Sequence, residues 1–240
     1  MADQTLLADS PATAPGLLRE FCAQNMDLVP EAVAAGARRI ELCDDLSVGG
    51  TTPAPDVVEA AVGYCRPRGV DVMCMVRPRG GDFEYSTGEA DGMRRSLLLA
   101  KRLGVSGVVF GCLRDGRLDR GLVLELVALA HGEDPDAPGR VDVTFHMAFD
   151  ALPAAEQLEA VDWLADAGVE RILTHGGPAG TPIEKNLDRL SAYVGRAAGR
   201  IRILPGGGIA WRNAPQVAAA LGVSEVHGTR IVDLDQRGGH

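Results

Sequence analysis

Short apolar runs alternate with longer stretches of helical periodicity along most of the chain. The apolar runs predict strands near residues 18–23, 38–43, 71–77, 106–111, 141–147, 170–175, 201–205 and 225–228. The periodic stretches predict helices near residues 27–35, 55–66, 87–103, 119–131, 153–167, 183–197 and 213–221. Several of these helices begin near the cap-like residues Asn25, Thr87, Thr181 and Asn213. Alternating strands and helices predict repeated βα units with parallel strands.

Glycine follows the end of several predicted helices, just before the next strand begins. The segments are AGA at 35–37, LGV at 103–105, AGV at 167–169 and LGV at 221–223. A glycine after a helix, followed by an apolar residue, is typical of the turn from a helix into a parallel strand. The recurrence of this turn supports the repeated βα units.

Two folds accommodate such units, a closed TIM-type barrel and a doubly wound open sheet. Eight strands, polar residues at alternate strand positions and distinctive residues at several strand ends favour the barrel. An open sheet would concentrate the distinctive residues at one switch point. We therefore predict an α/β fold with a single TIM-type (β/α)8 barrel over residues 17–230. The short remainder predicts that the eighth helix is absent or truncated, with a flexible leader over 1–16 and a tail over 231–240.

Composition and charge narrow the choice of partners and compartment. The formal net charge of −9 opposes nucleic acid, and no Lys/Arg cluster with interleaved aromatics is present. No apolar run approaches the roughly 20 residues that span a bilayer, and no basic signal region opens the sequence. The five cysteines are an odd number without a CxxC pair. We expect a cytoplasmic protein with reduced thiols that binds neither nucleic acid nor membrane.

Polar residues occupy one face of several predicted strands. Period-two alternation assigns a shared inward face to Glu20, Cys22, Arg39, Glu41, Cys43, Met73, Met75, Arg77, Thr144, His146, Glu225 and His227. Buried charges without partners are very costly, so these residues are expected to form a paired network. Such a network is either a structural plug or the wall of a site at the mouth, meaning the carboxyl ends of the strands. The candidate catalytic residues are Glu41, Arg77, His146, Asp150, Glu225 and His227.

Three loops have the composition of anion sites. RPRGGDFEYS at 77–86 offers two guanidinium groups and a Gly-Gly turn, and LTHGG at 173–177 and PGGGI at 205–209 are glycine-rich. The candidate anion-binding residues are Arg77, Arg79, Gly206, Gly207 and Gly208. The alternatives are that Asp82 or Glu84 pairs with the arginines, and that the glycines serve tight turns.

Soft donors gather on the same inward face. Cys22, Cys43 and Met75 share it, and His146 and His227 are positioned to approach them. Thiolate and thioether favour Cu(I), whereas the absence of tight Cys/His spacing argues against structural zinc. Cysteine and methionine are also ordinary core residues, so packing is the alternative.

The sequence resembles the CutC copper homeostasis family. The motifs that carry the resemblance are IELCDDLSVGGTTP (40–53), RPRGGDFEYS (77–86), VVFGCL (108–113), VTFHMAFD (143–150), RILTHGG (171–177), LPGGGI (204–209) and EVH (225–227). The resemblance implies an oligomeric TIM barrel with a role in copper tolerance and, in some members, Cu(I) binding by cysteines that match Cys22 and Cys43. Met147 and His175 depart from the family pattern, which has arginine and serine there.

Two functions follow, with a non-catalytic scaffold as a third. The first is copper handling as a homo-oligomer, with Cys22 and Cys43 as thiolate ligands and Met75, His146 or His175 as further donors. The second is a lyase, aldolase or isomerase for a small carboxylated or phosphorylated substrate. In it, Glu41 or His146 would act as acid or base and Arg77 and Arg79 would bind the anion. No lysine ends a strand, which argues against Schiff-base chemistry.

Overall fold

Eight parallel strands form one sheet that wraps into a nearly closed barrel. The computed structural model describes residues 16–132 and 139–235. The strands are β1 (Leu18–Gln24), β2 (Arg39–Cys43), β3 (Asp71–Met75), β4 (Gly107–Phe110), β5 (Asp142–Phe145), β6 (Arg171–Thr174), β7 (Arg202–Pro205) and β8 (Glu225–Gly228). Their order is β8-β1-β2-β3-β4-β5-β6-β7. β8 pairs with β1, and β7 and β8, the two ends of this order, contact each other. The predicted barrel is therefore confirmed and the open sheet is wrong.

Seven α-helices connect the strands. They are α1 (Val29–Ala34), α2 (Pro55–Cys65), α3 (Thr87–Arg102), α4 (Arg120–His131), α5 (Gln157–Asp166), α6 (Leu187–Ala197) and α7 (Ala214–Leu221). A short antiparallel hairpin, which pairs Leu113–Arg114 with Arg117–Leu118, lies between β4 and α4. In the part of the chain that the structure describes, no helix follows β8, in agreement with the predicted loss of the eighth helix. None of the described helices is long and apolar enough to cross a membrane.

Helix starts differ from the predicted ones where local turns intervene. α5 begins at Gln157 because Pro153 and the next residues form a turn, and a 3₁₀ turn over Ile183–Asn186 precedes α6. The side chain that caps α3 is Ser86, which forms a capping box with Glu89, so Thr87 is already helical. These shifts leave the strand ends where the pattern predicts them.

The predicted caps Asn25, Thr181 and Asn213 have other roles. The Asn25 amide bonds to Asp44, and the Thr181 hydroxyl bonds to the carbonyl oxygen of Pro178. Asn213 precedes α7 without capping it, and its amide oxygen accepts from the backbone N–H of Ala210. All three side chains stabilise loops.

Apolar residues fill two separate layers. The larger layer lies between the sheet and the helices and includes Phe21, Ile40 and Phe145. Burying each such side chain contributes about 1.5–3 kcal/mol, so this layer holds the barrel shape. The smaller layer lies inside the barrel and contains Cys22, Cys43, Met73, Met75 and Val109. The barrel interior is therefore partly apolar and sulfur-rich, and the rest of it is polar.

The ends of the predicted domain are partly outside the described residues. Residues 1–15, which make up most of the predicted leader, and residues 236–240, in the predicted tail, lie outside the described residues. Ile231 and Val232 are buried in the outer apolar layer. The packed barrel therefore extends two residues beyond position 230.

Candidate functional site

A network of buried ion pairs lies inside the barrel at the amino-terminal end of the strands. Arg39 bonds to Glu20 through Nε and to Glu225 Oε2 through Nη2 at 2.5 Å. Arg171 Nε lies 3.0 Å from the same Glu225 oxygen, and its Nη1 lies 2.8 Å from Asp142 Oδ2. We call Glu20, Arg39, Arg171 and Glu225 the lower ion network. Each buried charge in it has an opposite charge beside it, as burial requires.

Arg171 belongs to this network although the sequence patterns did not single it out as a candidate. The alternation of inward and outward residues along 170–175 puts Arg171 on the inward face, so the same pattern could have identified it. Glu225, a predicted catalytic residue, is engaged by Arg39, Arg171 and the half-exposed Arg202. This environment fits a structural role at the base of the barrel.

His227 links the lower ion network to the residues above it. Its Nδ1 lies 2.8 Å from Glu20 Oε1, and its Nε2 lies 3.6 Å from Glu41 Oε2. Burial alone would lower the pKa of His227, but the charge of Glu41 and hydrogen bonds to Cys22 and Glu20 raise it well above its usual value. His227 is therefore an imidazolium at neutral pH, held beside the thiols.

Two buried thiols lie directly above this histidine. Ligand atoms of Cys22, Glu41 and Cys43 all lie within 4.8 Å of one another, and so do those of Glu20, Glu41 and His227. Cys43 Sγ lies 3.7 Å from Glu41 Oε2. We call Cys22 and Cys43 the thiol pair. Neighbouring strands β1 and β2 bring the pair together, because Cys22 and Cys43 both face inward.

The two thiols differ in their readiness to ionise. A hydrogen bond from Cys43 and the neighbouring His227 lower the pKa of Cys22 well below its usual value. The same bond to Cys22, followed by burial, raises the pKa of Cys43 well above its usual value. Burial and the nearby charge of Cys22 also raise the pKa of Glu41. Cys22 is thus the more readily ionised of the two thiols, and its ionisation is coupled to that of Glu41.

Met75 belongs to the same inner layer as the thiol pair. A Cβ added to Gly50 would lie 3.0 Å from Cys43 Sγ and 3.6 Å from Met75 Cε. Gly50 has a φ of +85°, which favours glycine, so the loop after β2 passes closely over both sulfur-containing side chains. The predicted proximity of Cys22, Cys43 and Met75 is therefore present in the structure.

The two arginines of the loop after β3 are held by protein groups. Arg77 is buried, and its guanidinium donates to the carbonyl oxygens of Val48, Gly50 and Gly81 at 2.9–3.0 Å. It fastens two loops over the mouth. Arg79 is half-exposed and pairs with acidic side chains, which belong to Asp82 and Glu89. The loop therefore contains the Arg–carboxylate pairing that the sequence left open, with Asp82 as one partner of Arg79. The binding of an anion by Arg79 stays a prediction.

His146 and His175 follow neighbouring strands β5 and β6. His146 Nδ1 accepts from the backbone N–H of Ala148 at 3.1 Å, and its Nε2 has no partner among the described residues. His175 Nδ1 lies 2.9 Å from the carbonyl oxygen of Gly207, and its Nε2 also has no described partner. Both rings are buried. We call them the histidine pair.

Asp150 positions the backbone of His175. Its carboxylate accepts from the hydroxyl of Thr174 at 2.5 Å and from the N–H groups of His175 and Gly176 at 2.8 and 3.2 Å. Burial raises the pKa of Asp150 despite these bonds. The side chain fixes the loop after β6, which fits positioning better than proton transfer.

The glycine segment after β7 approaches His175 and His227. Gly207 and Gly208 have φ values of +76° and +84°, and a Cβ at Gly207 would lie 2.9 Å from His175 Nδ1. A Cβ at Gly206 would lie 2.5 Å from the Leu173 side chain and 3.1 Å from the His227 ring. The close approach of backbone to side chains explains these glycines. Their binding of an anion stays a prediction.

The structure therefore divides the predicted site residues into groups. Glu41 and His227 lie with the thiol pair and Met75, while Glu225 lies below them. His146, Asp150, His175 and the glycines lie on the β5–β7 side of the mouth. Within the described residues, His175 is in neither of the groups whose ligand atoms could share a metal ion. The metal ligand role of His175 stays a prediction.

The fold and the site together define a TIM-type barrel with a buried thiol pair in its interior. A family model described as the CutC family matches residues 17–232. A CutC family protein of Enterococcus faecalis is 50% identical over 217 residues, which cover 90% of this chain and 100% of that protein. The human copper homeostasis protein cutC homolog is 37% identical, over 89% of this chain and 73% of that protein. The chain belongs to the CutC family.

Solved structures agree with this assignment. The crystal structure of CutC from Streptococcus agalactiae superimposes with a TM-score of 0.84 at 37% identity, covering 90% of this chain and 100% of that chain. The tetrameric deoxyribose phosphate aldolase from Aeropyrum pernix has a TM-score of 0.65 at 14% identity, covering 93% and 90%. The second similarity shows the barrel fold alone.

Proposed function

We propose that this CutC family protein binds Cu(I) at the thiol pair and thereby serves copper homeostasis. The observation that carries the proposal is the buried grouping of Cys22, Glu41 and Cys43 ligand atoms within 4.8 Å. Sulfur donors are the ligands that Cu(I) prefers, and the thioether of Met75 lies in the same layer. The name of the human relative, a copper homeostasis protein, supports the same ligand.

The surroundings of the thiol pair suit a bound monovalent cation. Two thiolates and one Cu(I) carry a net negative charge, which the imidazolium of His227 offsets. His227 is itself oriented by Glu20 at 2.8 Å. Such an outer partner commonly fixes the ligand set and tunes metal affinity. Glu41 Oε1 is buried without a partner in the described structure, which leaves a polar atom available beside the thiols.

Copper would be the cargo of the protein and not a resident cofactor. Cys22 retains slight exposure while Cys43 has none, so the ion would approach from the Cys22 side. Cys22 also has the lowered pKa of the two, which makes it the first thiolate to bind. A cytoplasmic location and a homo-oligomeric state remain predictions.

An anaerobic competition titration with a chromophoric Cu(I) chelator tests the proposal. The wild-type protein is expected to bind Cu(I) tightly and stoichiometrically, whereas a Cys22→Ser/Cys43→Ser variant is expected to bind at least about 100-fold more weakly. The matched control is Cys65→Ser/Cys74→Ser, which removes two other buried thiols outside the inner layer.

Circular dichroism establishes that both double variants are folded before affinities are compared. Retention of wild-type affinity in the Cys22→Ser/Cys43→Ser variant would rule out the thiol pair as the copper site. Equal loss in both double variants would attribute the effect to general destabilisation and not to ligation.

A further inference from the structure

Several buried polar atoms have no partner among the described residues, and three of them lie on or directly after the neighbouring strands β5 and β6. In the part of the chain described, these atoms include Thr144 Oγ1, His146 Nε2 and His175 Nε2, on residues no more than 4% exposed. Leaving a buried donor or acceptor unpaired costs about 1–3 kcal/mol. Native proteins therefore fill such positions with water or a ligand. The copper proposal uses none of the three atoms.

The hydrogen bond at Nδ1 determines what His146 presents to the barrel interior. Nδ1 accepts from the backbone N–H of Ala148, so this nitrogen carries the lone pair. Burial, and next the positive charge of Arg77, lower the pKa of His146 to about 3, so the ring is neutral at pH 7. In a neutral ring the proton is then on Nε2. His146 offers one buried N–H donor.

His175 has its proton on the other ring nitrogen, Nδ1. Its Nδ1 lies 2.9 Å from the carbonyl oxygen of Gly207, and a carbonyl can only accept, so the proton is on Nδ1. When the ring is neutral, Nε2 is therefore an acceptor. The backbone N–H of His175 donates to Asp150, and its carbonyl oxygen accepts from Asn186. These bonds hold the acceptor in a fixed position.

The two rings belong to the same region of the mouth. β5 and β6 are neighbouring parallel strands with Phe145 opposite Ile172, so both strands end at the same edge. His146 follows β5 directly, and Thr144 lies one pleat deeper on the same face.

A positive charge lies beside this region. The ring of Phe83 lies 4.9 Å from the His146 ring, centroid to centroid, and 4.9 Å from the guanidinium carbon of Arg77. Arg77 thus supplies a positive charge on the His146 side of the pair, whereas the Asp150 carboxylate lies at the backbone of His175.

We propose that Thr144, His146 and His175 form a second ligand site, separate from the thiol pair, for a small 2-hydroxycarboxylate. The carboxylate would accept from His146 Nε2–H and from the Thr144 hydroxyl, and the 2-hydroxyl of the ligand would donate to His175 Nε2. A 2-keto acid has no proton for His175, and a simple carboxylate has no hydroxyl for it. The site thus selects ligands whose 2-substituent can donate a hydrogen bond. It does not depend on copper binding.

Isothermal titration calorimetry of the full-length protein with D-lactate, L-lactate, pyruvate and propionate tests the site. One lactate enantiomer is expected to bind saturably, and pyruvate and propionate are expected to bind at least about tenfold more weakly. Equal affinity for lactate and propionate, or no binding of any of the four compounds, would overturn the proposal.

Replacement of the acceptor tests the assigned roles. His175→Phe retains an aromatic ring without the nitrogen, and this variant is expected to lose its preference for lactate over propionate. His131→Phe is the matched control, since His131 lies at the end of α4, outside the barrel, with Nε2 at 3.3 Å from Glu170 Oε1. Unchanged discrimination in His175→Phe would contradict the role of the acceptor.

Two further measurements separate this proposal from folding defects and from the copper site. Long-range ¹H–¹⁵N spectra of the wild-type imidazoles are expected to show Nε2–H at His146 and Nδ1–H at His175, and the reverse tautomer at either ring would overturn the assignment. Lactate binding is expected to survive in Cys22→Ser/Cys43→Ser. Its loss there would show that the two sites are not separate.

Discussion

The two ends of the barrel interior are both polar, but they differ in how their polar atoms are satisfied. At the lower end, Glu20, Arg39 and Glu225 are almost fully buried and bonded to opposite charges. At the mouth, His146 and His175 are equally buried, yet Nε2 of each ring has no partner among the described residues. Charge alone therefore does not mark a functional site here. The unpaired polar atom is the better indicator.

The lower ion network is expected to carry the largest stability effect. Arg39→Met leaves Glu20 and Glu225 buried with fewer positive partners, so the free energy of unfolding should fall by about 3–5 kcal/mol. Urea denaturation monitored by circular dichroism measures the change. A loss below about 1 kcal/mol would mean that the network is not the structural element described above.

Acid should weaken the same network. Burial works against ionisation of Glu20, but Arg39 and His227 lower its pKa from the usual 4.5 to about 2. Because the folded-state pKa is depressed, the stabilisation is fully present above pH 4.5 and disappears as the pH falls towards 2, a change of roughly 3 kcal/mol. Denaturation between pH 6 and pH 2 tests this, with Glu20→Gln expected to show a flatter profile. An equally steep profile for that variant would assign the acid sensitivity to other groups.

At the mouth, substitutions should change stability and ligand binding by altering side-chain packing, not by altering charge. A Cβ at Gly111 would lie 2.5 Å from His146 Nδ1 and 2.7 Å from Ala148 Cβ. Gly111→Ala is therefore expected to cost about 1–3 kcal/mol and to displace His146. Lactate binding should weaken while Cu(I) affinity is retained.

Gly63→Ala provides the matched control, since nothing lies within 4 Å of a Cβ at this position in α2. That substitution should stabilise by about 0.5–1 kcal/mol. A Gly111→Ala variant as stable as wild type, with unchanged lactate binding, would mean that His146 is not held as tightly as the structure indicates.

The smallest effect is expected at the rim of the lower network. Arg202 Nη1 lies 3.1 Å from Glu225 Oε1, but its side chain is 51% exposed. Arg202→Met should change the free energy of unfolding by less than about 1 kcal/mol, because solvent screens the pair. Both arginines bind Glu225, but Arg39 also pairs with Glu20, so comparison with Arg39→Met contrasts one exposed ion pair with two buried ones. Equal losses in the two variants would contradict the importance of burial.

The strand pattern predicted most of the fold. All eight barrel strands lie at the predicted positions, within a residue or two at each end, because apolar runs and helix-ending glycines are local signals. The start of α5 was less predictable, since a turn at Pro153 delays it. Sequence patterns cannot reveal which of several plausible turns the loops adopt.

The sequence predicted which residues line the site, but not the hydrogen bonds and contacts that they make with one another and with the loops. Alternation placed Cys22, Glu41 and Cys43 on the inward face, and the structure brings them together. The satisfaction of Arg77 by loop carbonyls depends on long-range contacts that no periodicity encodes. The opposite tautomers of His146 and His175 depend likewise on backbone partners supplied by the fold.

X-ray absorption spectroscopy at the copper edge of the Cu(I)-loaded protein tests the central claim most directly. Copper bound by the thiol pair should show sulfur scatterers in its first coordination shell, and these should be lost in Cys22→Ser/Cys43→Ser but kept in Cys65→Ser/Cys74→Ser. A first shell of only nitrogen and oxygen in the wild-type protein would contradict the proposal.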